Sequence, residues 1–494
     1  MKKYSILFCI FLLGLIVHGQ SKISKNNANN CPQAYGPVPT PAQLAWQKME
    51  MNMFCHFGPN TFTGLEWGAG TEHVDIFKPT ALDCNQWVSV AKQGGFAGII
   101  ITAKHHDGFC LWPNPMSTHT LRESSWRDGK GDILLELSEA CKNGGIKFGI
   151  YISPWDRNAP TYGTKAYNKV FIKTLNHAHS NYGEIFEQWF DGANGEGPNG
   201  KKQIYDWKKF NLQTLKKQPN AVIFSDIGPG CRWVGNEEGR SGRTCWSRLE
   251  VKGFGPGLDA PSQDTLNCGN YNGESWVPAE TDVSIRKGWF WRESEHPKSL
   301  QELLKIYYNS VGRNSLLLLN VPPDTRGLIP SEDSLRLIEF RSSIELIFAD
   351  NLAKKAKMIK ASNVRSCGST DYYKTQNFYD PHRMVDDDYD TYWATDDSVY
   401  TAWVELQFDS LQTFNRVMLQ EYIPLGQRVA SFSIEIEQPN GEWKTIAKET
   451  TIGYKRILLC ETCTTKKVRL MIDKSRACAI INYLGLFLDE IYSE

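Results

Sequence analysis

The chain has 494 residues, enough for two or three domains, and its 41% hydrophobic and 22% charged composition excludes a disordered or fibrous class. Lysine plus arginine equals aspartate plus glutamate at 55 each, so no charge excess points to nucleic acid or an anionic membrane. Sixteen tryptophans fit large aromatic cores, and also the stacking of apolar sugar faces on indoles.

The first residues, "MKKYSILFCIFLLGLIVHGQ", read as a secretory signal over residues 1–20. Two lysines precede an apolar run from Ile6 to Val17, short of the ~20 residues a membrane span needs. No later segment reaches that length, so the expectation is an exported chain, periplasmic or secreted, with no membrane span. Residues 21–38 form a polar leader. Export permits disulfides, but the scattered cysteines do not define a pairing. "CETC" at Cys460–Cys463 stands without a second CxxC, which favours a local disulfide or free thiols over a zinc or redox site.

Next comes an alternation. "CNQWVSVAKQGG" predicts a helix with Trp87, Val90 and Ala91 on one face, stopped by a glycine pair. "FAGIIITAKHHDGF" follows as a buried strand. "DILLELSEACKNGG", with Asp132 as N-cap, and "IKFGIYISPWD" repeat the device fifty positions on. A third round runs from "YNKVFIKTLNHAHSNYG" into a strand over residues 184–191, and "AVIFSD" is a fourth strand. "ETDVSI" and "LLLLNVPP" are later strand candidates, and a helix over residues 331–349 ends this half.

Helices alternating with short apolar strands imply a parallel sheet. Several strands end in polar clusters, at His56, His105–His106, Tyr151, Asp191 and Asp226. A (β/α)8 barrel gathers such strand ends into one pocket. An open doubly wound sheet would carry a glycine-rich phosphate loop, and none is present in the right context. The expected fold is therefore α/β, a (β/α)8-like barrel over residues 39–350, followed by an all-β sandwich over residues 351–494. The second part rests on alternating strands and turn signals such as "PNGEW", with no long helix.

The strand end at Asp191 carries the chemistry. Period two places Glu187, Trp189 and Asp191 on one face and Phe186, Gln188 and Phe190 on the other. Aspartate is depleted in strands, so Asp191 either caps the next turn or aims into a pocket. Glycosidic cleavage needs a second carboxyl group. "RWVGNEEGR" offers Glu237 and Glu238 beside Trp233, and "PAETDVSI" offers Glu280. An apolar wall would raise such a carboxyl and favour its acid form. His56, His105 and His106 suit hydrogen bonding to sugar hydroxyls, because imidazole both donates and accepts. Zinc would need three ligands in tetrahedral reach, and a tandem pair on a strand points to opposite faces. Glu66, Trp67 and Trp291 complete the candidate pocket, with Trp291 at its mouth.

"HFGPNTFTGLEWG", "ITAKHHDGFCLWPNPMSTHTLRES", "GIYISPWD", "QWFDGANG", "RWVGNEEGR" and "LLLLNVPPDTRG", in this order, resemble an α-L-fucosidase of glycoside hydrolase family 29. The resemblance implies a retaining barrel enzyme with no cofactor for catalysis. It implies Asp191 as nucleophile. It also implies His56, Glu66, Trp67, His105, His106 and Tyr151 as sugar contacts, to which the strand period adds Trp189, expected beside Asp191 in the pocket. The "GNE" loop resembles the subfamily acting on α-1,3- and α-1,4-linked fucose of branched, Lewis-type glycans, which implies Glu237 as acid/base, with Glu238 and Glu280 as alternatives. Retention expects the two carboxyls about 5–5.5 Å apart. The partners implied are fucosylated oligosaccharides or glycoconjugates. An inactive glycan-binding barrel, or a retaining hydrolase of another sugar such as an α-galactoside, are the alternatives.

"MVDDDYDTYWAT" resembles the loop of a factor 5/8 C-type, discoidin-like module, also carbohydrate-binding module family 32, with Asp387 where glycine is usual. Such loops often hold calcium through oxygen ligands, which implies Asp388, Thr391 and Glu490 as ligands of a structural calcium ion. The module either binds sugar or braces the barrel.

Overall fold

The computed structural model describes residues 31–366 and 378–492. The expected signal segment therefore lies outside the described residues, as does Cys367. Among the described residues no helix is long and apolar enough to cross a membrane.

The first half is a closed barrel of parallel strands. In chain order the strands are β1 (Met51–Cys55), β2 (Gly98–Lys104), β3 (Lys147–Ile152), β4 (Glu187–Trp189), β5 (Val222–Ser225), β6 (Cys231–Trp233), the two-residue pair β7 (Arg248–Leu249) and β8 (Ser275–Trp276), β9 (Ala279–Ser284) and β10 (Ser315–Asn320). The barrel order is β1-β10-β9-β6-β5-β4-β3-β2, closed by β2 on β1, and β7 with β8 stands apart. The helices form where the patterning expects them. Cys84–Gln93 is capped by Asp83 and Ile133–Gly144 by Asp132, each through a side-chain oxygen accepting from the first turn. Gly145 ends the second helix in the left-handed region, at φ 71°.

Two features depart from a regular eightfold repeat. No helix separates β5 from β6, which pair as parallel neighbours across a five-residue connection. β4 is shorter than expected, three residues rather than eight, and Asp191 lies beyond its end. The predicted faces still hold: Gln188 turns outward to His179, while Glu187 and Trp189 turn inward to Trp46 and Glu280.

The barrel interior is aromatic, with Phe54, Tyr151, Trp189 and Phe224 stacked above Trp46, which closes the N-terminal mouth. The larger core lies between strands and helices.

The second half is an antiparallel sheet domain with its own core. Its strands are β11 (Met358–Ala361), β12 (Trp393–Ala394), β13 (Ala402–Glu421), β14 (Val429–Glu437), β15 (Trp443–Glu449), β16 (Arg456–Ser475) and β17 (Ile480–Phe487). β13 and β16 are each twenty residues long and pair through two register shifts, which let the long strands bend from one layer of the sandwich to the other. Polar bonds tie this domain to the barrel: Arg416 meets Asp489 at 2.9 Å while Tyr308 donates to Asp489 at 2.6 Å, Lys455 pairs with Glu50 at 2.5 Å, and the Ser247 N–H donates to Gln427 at 2.7 Å.

Candidate active site

The C-terminal strand ends bring Asp191, Tyr151, the histidines and Glu237 to one place. Asp191 follows β4. Its Oδ1 accepts the Ala193 N–H at 2.8 Å, and its Oδ2 accepts the Tyr151 hydroxyl at 3.0 Å. The His106 Nε2 lies 3.7 Å from Oδ2, and the carboxylate is a quarter exposed. Two donors thus hold Asp191, one at each oxygen, while one side stays open. The glycines after it are needed for space. A Cβ at Gly192 would lie 2.5 Å from the Asp226 carboxylate, and one at Gly195 would enter the Trp155 ring.

Glu237 follows β6. Its Oε2 accepts the Trp289 indole N–H at 3.2 Å. Burial raises its carboxyl above the ordinary range, the indole bond opposes this, and the charges of Asp191 and Glu66 raise it further. The two carboxyls therefore feel each other from different surroundings, Asp191 held by two donors and Glu237 at the exposed rim with one.

The histidines are buried and neutral. His56 follows β1, and its Nδ1 lies 2.9 Å from the Asn320 Oδ1, which also accepts the His56 N–H at 3.1 Å. Nδ1 is then the donor and Nε2 the acceptor. Burial pulls His56 down to about 3. His106 binds the Ser153 hydroxyl at 2.8 Å through Nδ1 and is pulled down to about 4, by burial against the opposing pull of Asp191. His105 stacks on Tyr151 at 5.7 Å, and burial first, then His106, keeps it well below its usual value. Its buried Nδ1 has no protein partner, a hydrogen-bonding valence left for a ligand.

The walls differ in part from the expectation. Glu66 is ion-paired with Arg292 at 2.5 Å and accepts the Trp289 backbone N–H at 3.1 Å. Trp67 is 59% exposed and meets the His106 and Trp155 rings edge-on. Trp289, rather than Trp291, faces the site, 4.9 Å from His56 and bonded to Glu237; the segment after β9 is no longer a strand, so the two indoles do not share a face as period two would place them. Trp189 does not line the pocket either. It lies one layer below, between Tyr151 and Phe224. Of the alternative acids, Glu238 turns outward to Arg240 at 2.6 Å, and Glu280 is fully buried beneath Trp189.

Sequence reasoning passed over Asn320, Arg292 and Asp282. Asn320 ends β10 and links His56, Ser284 and the Trp289 carbonyl. Asp282 accepts the Trp233 indole N–H at 3.0 Å, and burial, then Glu237, keeps it well above the carboxylate range. Period two through "ETDVSI", continued inward from Glu280, would have found Asp282.

The expected calcium ligands do not converge. Asp388 and Thr391 share one turn, where Asp386 accepts the Thr391 hydroxyl at 2.8 Å and Asp387 pairs with Lys354. That turn meets β17 near its start, where Asn482 donates to the Tyr389 carbonyl. Glu490 lies past the other end of β17, at least about 17 Å of strand away. Among the described residues one group alone could hold a metal ion by spacing, Glu187, Cys231 and Glu280, deep in the barrel.

A parallel barrel whose strand ends bring a donor-held carboxylate and a carboxyl bonded to an indole to one place, ringed by neutral imidazoles, has the make-up of a glycoside hydrolase. The Alpha-L-fucosidase profile matches residues 33–345, and a NedA-like, galactose-binding domain profile matches residues 383–470. Alpha-L-fucosidase 1 of Arabidopsis thaliana is 44% identical over 92% of this chain and 88% of its own. A Ruminococcus gnavus GH29 fucosidase solved with fucose superposes with a TM-score of 0.82 at 31% identity, covering 94% of this chain and 98% of its own. A glycoside hydrolase 29 family member from an unknown rumen bacterium gives 0.81 at 39% identity, covering 93% and 79%. The chain belongs to the alpha-L-fucosidase family, glycoside hydrolase family 29.

Proposed function

We propose that this alpha-L-fucosidase is exo-acting and retaining, that Asp191 is its nucleophile and Glu237 its acid/base, and that it removes α-1,3- and α-1,4-linked fucose from branched glycans. The observation that carries the reading is the contrast between the two carboxyls. Asp191 is held at both oxygens by the Tyr151 hydroxyl and the Ala193 N–H, whereas the Glu237 carboxyl, raised above the ordinary range, accepts a single indole N–H from Trp289. In the first step an Asp191 oxygen bonds to the anomeric carbon while the glycosidic bond breaks and Glu237 gives its proton to the leaving oxygen. In the second, Glu237 takes a proton from water, whose oxygen bonds to the anomeric carbon and releases Asp191. Neutral His56, with Nε2 as acceptor, and His105, with its unmatched Nδ1, are suited to bind fucose hydroxyls, and Trp67 to cover an apolar sugar face.

The fucose bound to the Ruminococcus gnavus relative supports fucose as the glycone. The "GNE" loop supports the linkage preference, and the N-terminal apolar run supports export. The experiment is proton NMR of an aryl α-L-fucoside digest. First-formed α-fucose agrees with retention; first-formed β-fucose overturns the mechanism. A panel of linkage-defined oligosaccharides tests the preference, which fails if α-1,2-linked substrates react faster than the branched α-1,3/1,4 ones.

A further inference from the structure

Beneath the pocket lies an arrangement the reaction does not explain. Glu280 is completely buried, and its Oε1 accepts the Trp189 indole N–H at 2.8 Å. Glu187, equally buried, accepts the Trp46 indole N–H at 2.7 Å and the Cys231 thiol. Ligand atoms of Glu187, Cys231 and Glu280 lie within 4.8 Å of one another. The groups acting on the two carboxyls are each other, the indoles, the thiol and Asp282, with no cation among them. Burial, and then the neighbouring Glu187 charge, push Glu280 well above the carboxylate range. An apolar pair of similar volume would avoid the desolvation penalty. What apolar side chains could not do is accept from the indoles.

The consequence runs upward. The Trp189 ring is stacked on Phe224 at 3.8 Å and 9°, and on Tyr151 at 5.2 Å and 26°. Stacking leaves a ring free to turn in its own plane, and the bond to Glu280 removes that freedom. Tyr151, packed between Trp189 and His105, has its hydroxyl on Asp191 at 3.0 Å. We propose that Glu280 is a positioning residue for Asp191, acting through Trp189 and Tyr151. This rests on the reading of Asp191 as nucleophile.

The test uses the full chain and an activated aryl α-L-fucoside. Glu280→Met keeps the volume and removes the acceptor. It is expected to lower kcat about 10- to 100-fold, the scale of a misplaced reacting group, with KM changed less than about threefold. Glu280→Gln keeps the volume and a carbonyl for the Trp189 N–H, so kcat stays within about threefold of wild type. Trp189→Phe keeps the stack, loses the N–H and reproduces the Glu280→Met loss; the double variant loses no more. Wild-type kcat in Glu280→Met or in Trp189→Phe, or additive losses, would overturn the proposal. So would a stoichiometric metal ion in elemental analysis of the purified protein. If Glu280→Met does not fold, Trp189→Phe decides alone. Asp191→Asn is assayed alongside. Activity in that variant sinks the nucleophile reading, whereas its loss together with normal Glu280→Met and Trp189→Phe sinks this inference only.

Discussion

The barrel mouth and the seam between the two domains both hold charged side chains, in opposite ways. At the seam, Arg416 and Asp489 are paired at 2.9 Å, with the Tyr308 hydroxyl donating to the carboxylate and the Asn415 and Tyr492 carbonyls accepting from the arginine. Nearby, the buried Glu421 accepts three backbone N–H groups, from Arg428, Val429 and Gly453. At the mouth, Asp191 is a quarter exposed, Glu237 has one donor and His105 has an unmatched nitrogen. Saturated buried charge braces a structure, whereas buried polar groups with open valences await a ligand.

The largest break in that comparison is Asp191→Asn. It should lower kcat at least about a thousandfold, with the urea midpoint almost unchanged, because it removes a charge from an open site rather than from a closed network. Near-normal turnover would refute its role. Glu237→Gln should cost about a hundredfold or more on glycan substrates and less on an activated aryl fucoside, and azide should restore turnover on the latter. Rescue absent in Glu237→Gln would move the acid elsewhere.

Arg416→Met should give the reverse signature. It leaves Asp489 buried without its partner and should destabilise by about 3–5 kcal/mol in urea unfolding, while kcat of the folded fraction stays within about twofold. A drop in kcat with unchanged stability would put the seam in the catalytic machinery.

A finer test is pH. With Glu237 as the proposed acid, the first step needs it protonated, so activity should fall on the alkaline side as pH rises through its raised pKa. The Trp289 N–H favours the charged form, so Trp289→Phe should raise that pKa and move the alkaline limb of kcat/KM upward by about half to one unit. A downward move would contradict the bond. Glu238→Gln, at the exposed Arg240 pair, should change kcat/KM less than about twofold.

Much of this was legible before any coordinates. Runs such as "GIIITAK" and "SLLLLN" are apolar on both faces, as a strand sheathed by helices must be, and Asp83 and Asp132 marked their helix starts. The polar ends of those strands predicted one pocket, since a closed barrel points all its strand ends the same way. The helix missing between β5 and β6 was not legible, because a short connection there carries no contrary signal.

Local pattern thus determined the barrel, the face of Asp191 and the all-β second domain, since residue periodicity follows from backbone geometry alone. Which of three glutamates meets Asp191, and which tryptophan covers the site, was decided only when distant segments packed. Glu237 and Glu238 are chain neighbours, yet one lies under Trp289 and the other pairs with Arg240. The same holds for Glu280, whose burial under Trp189 comes from β9 and β4 facing each other across the barrel, a distance no sequence spacing encodes.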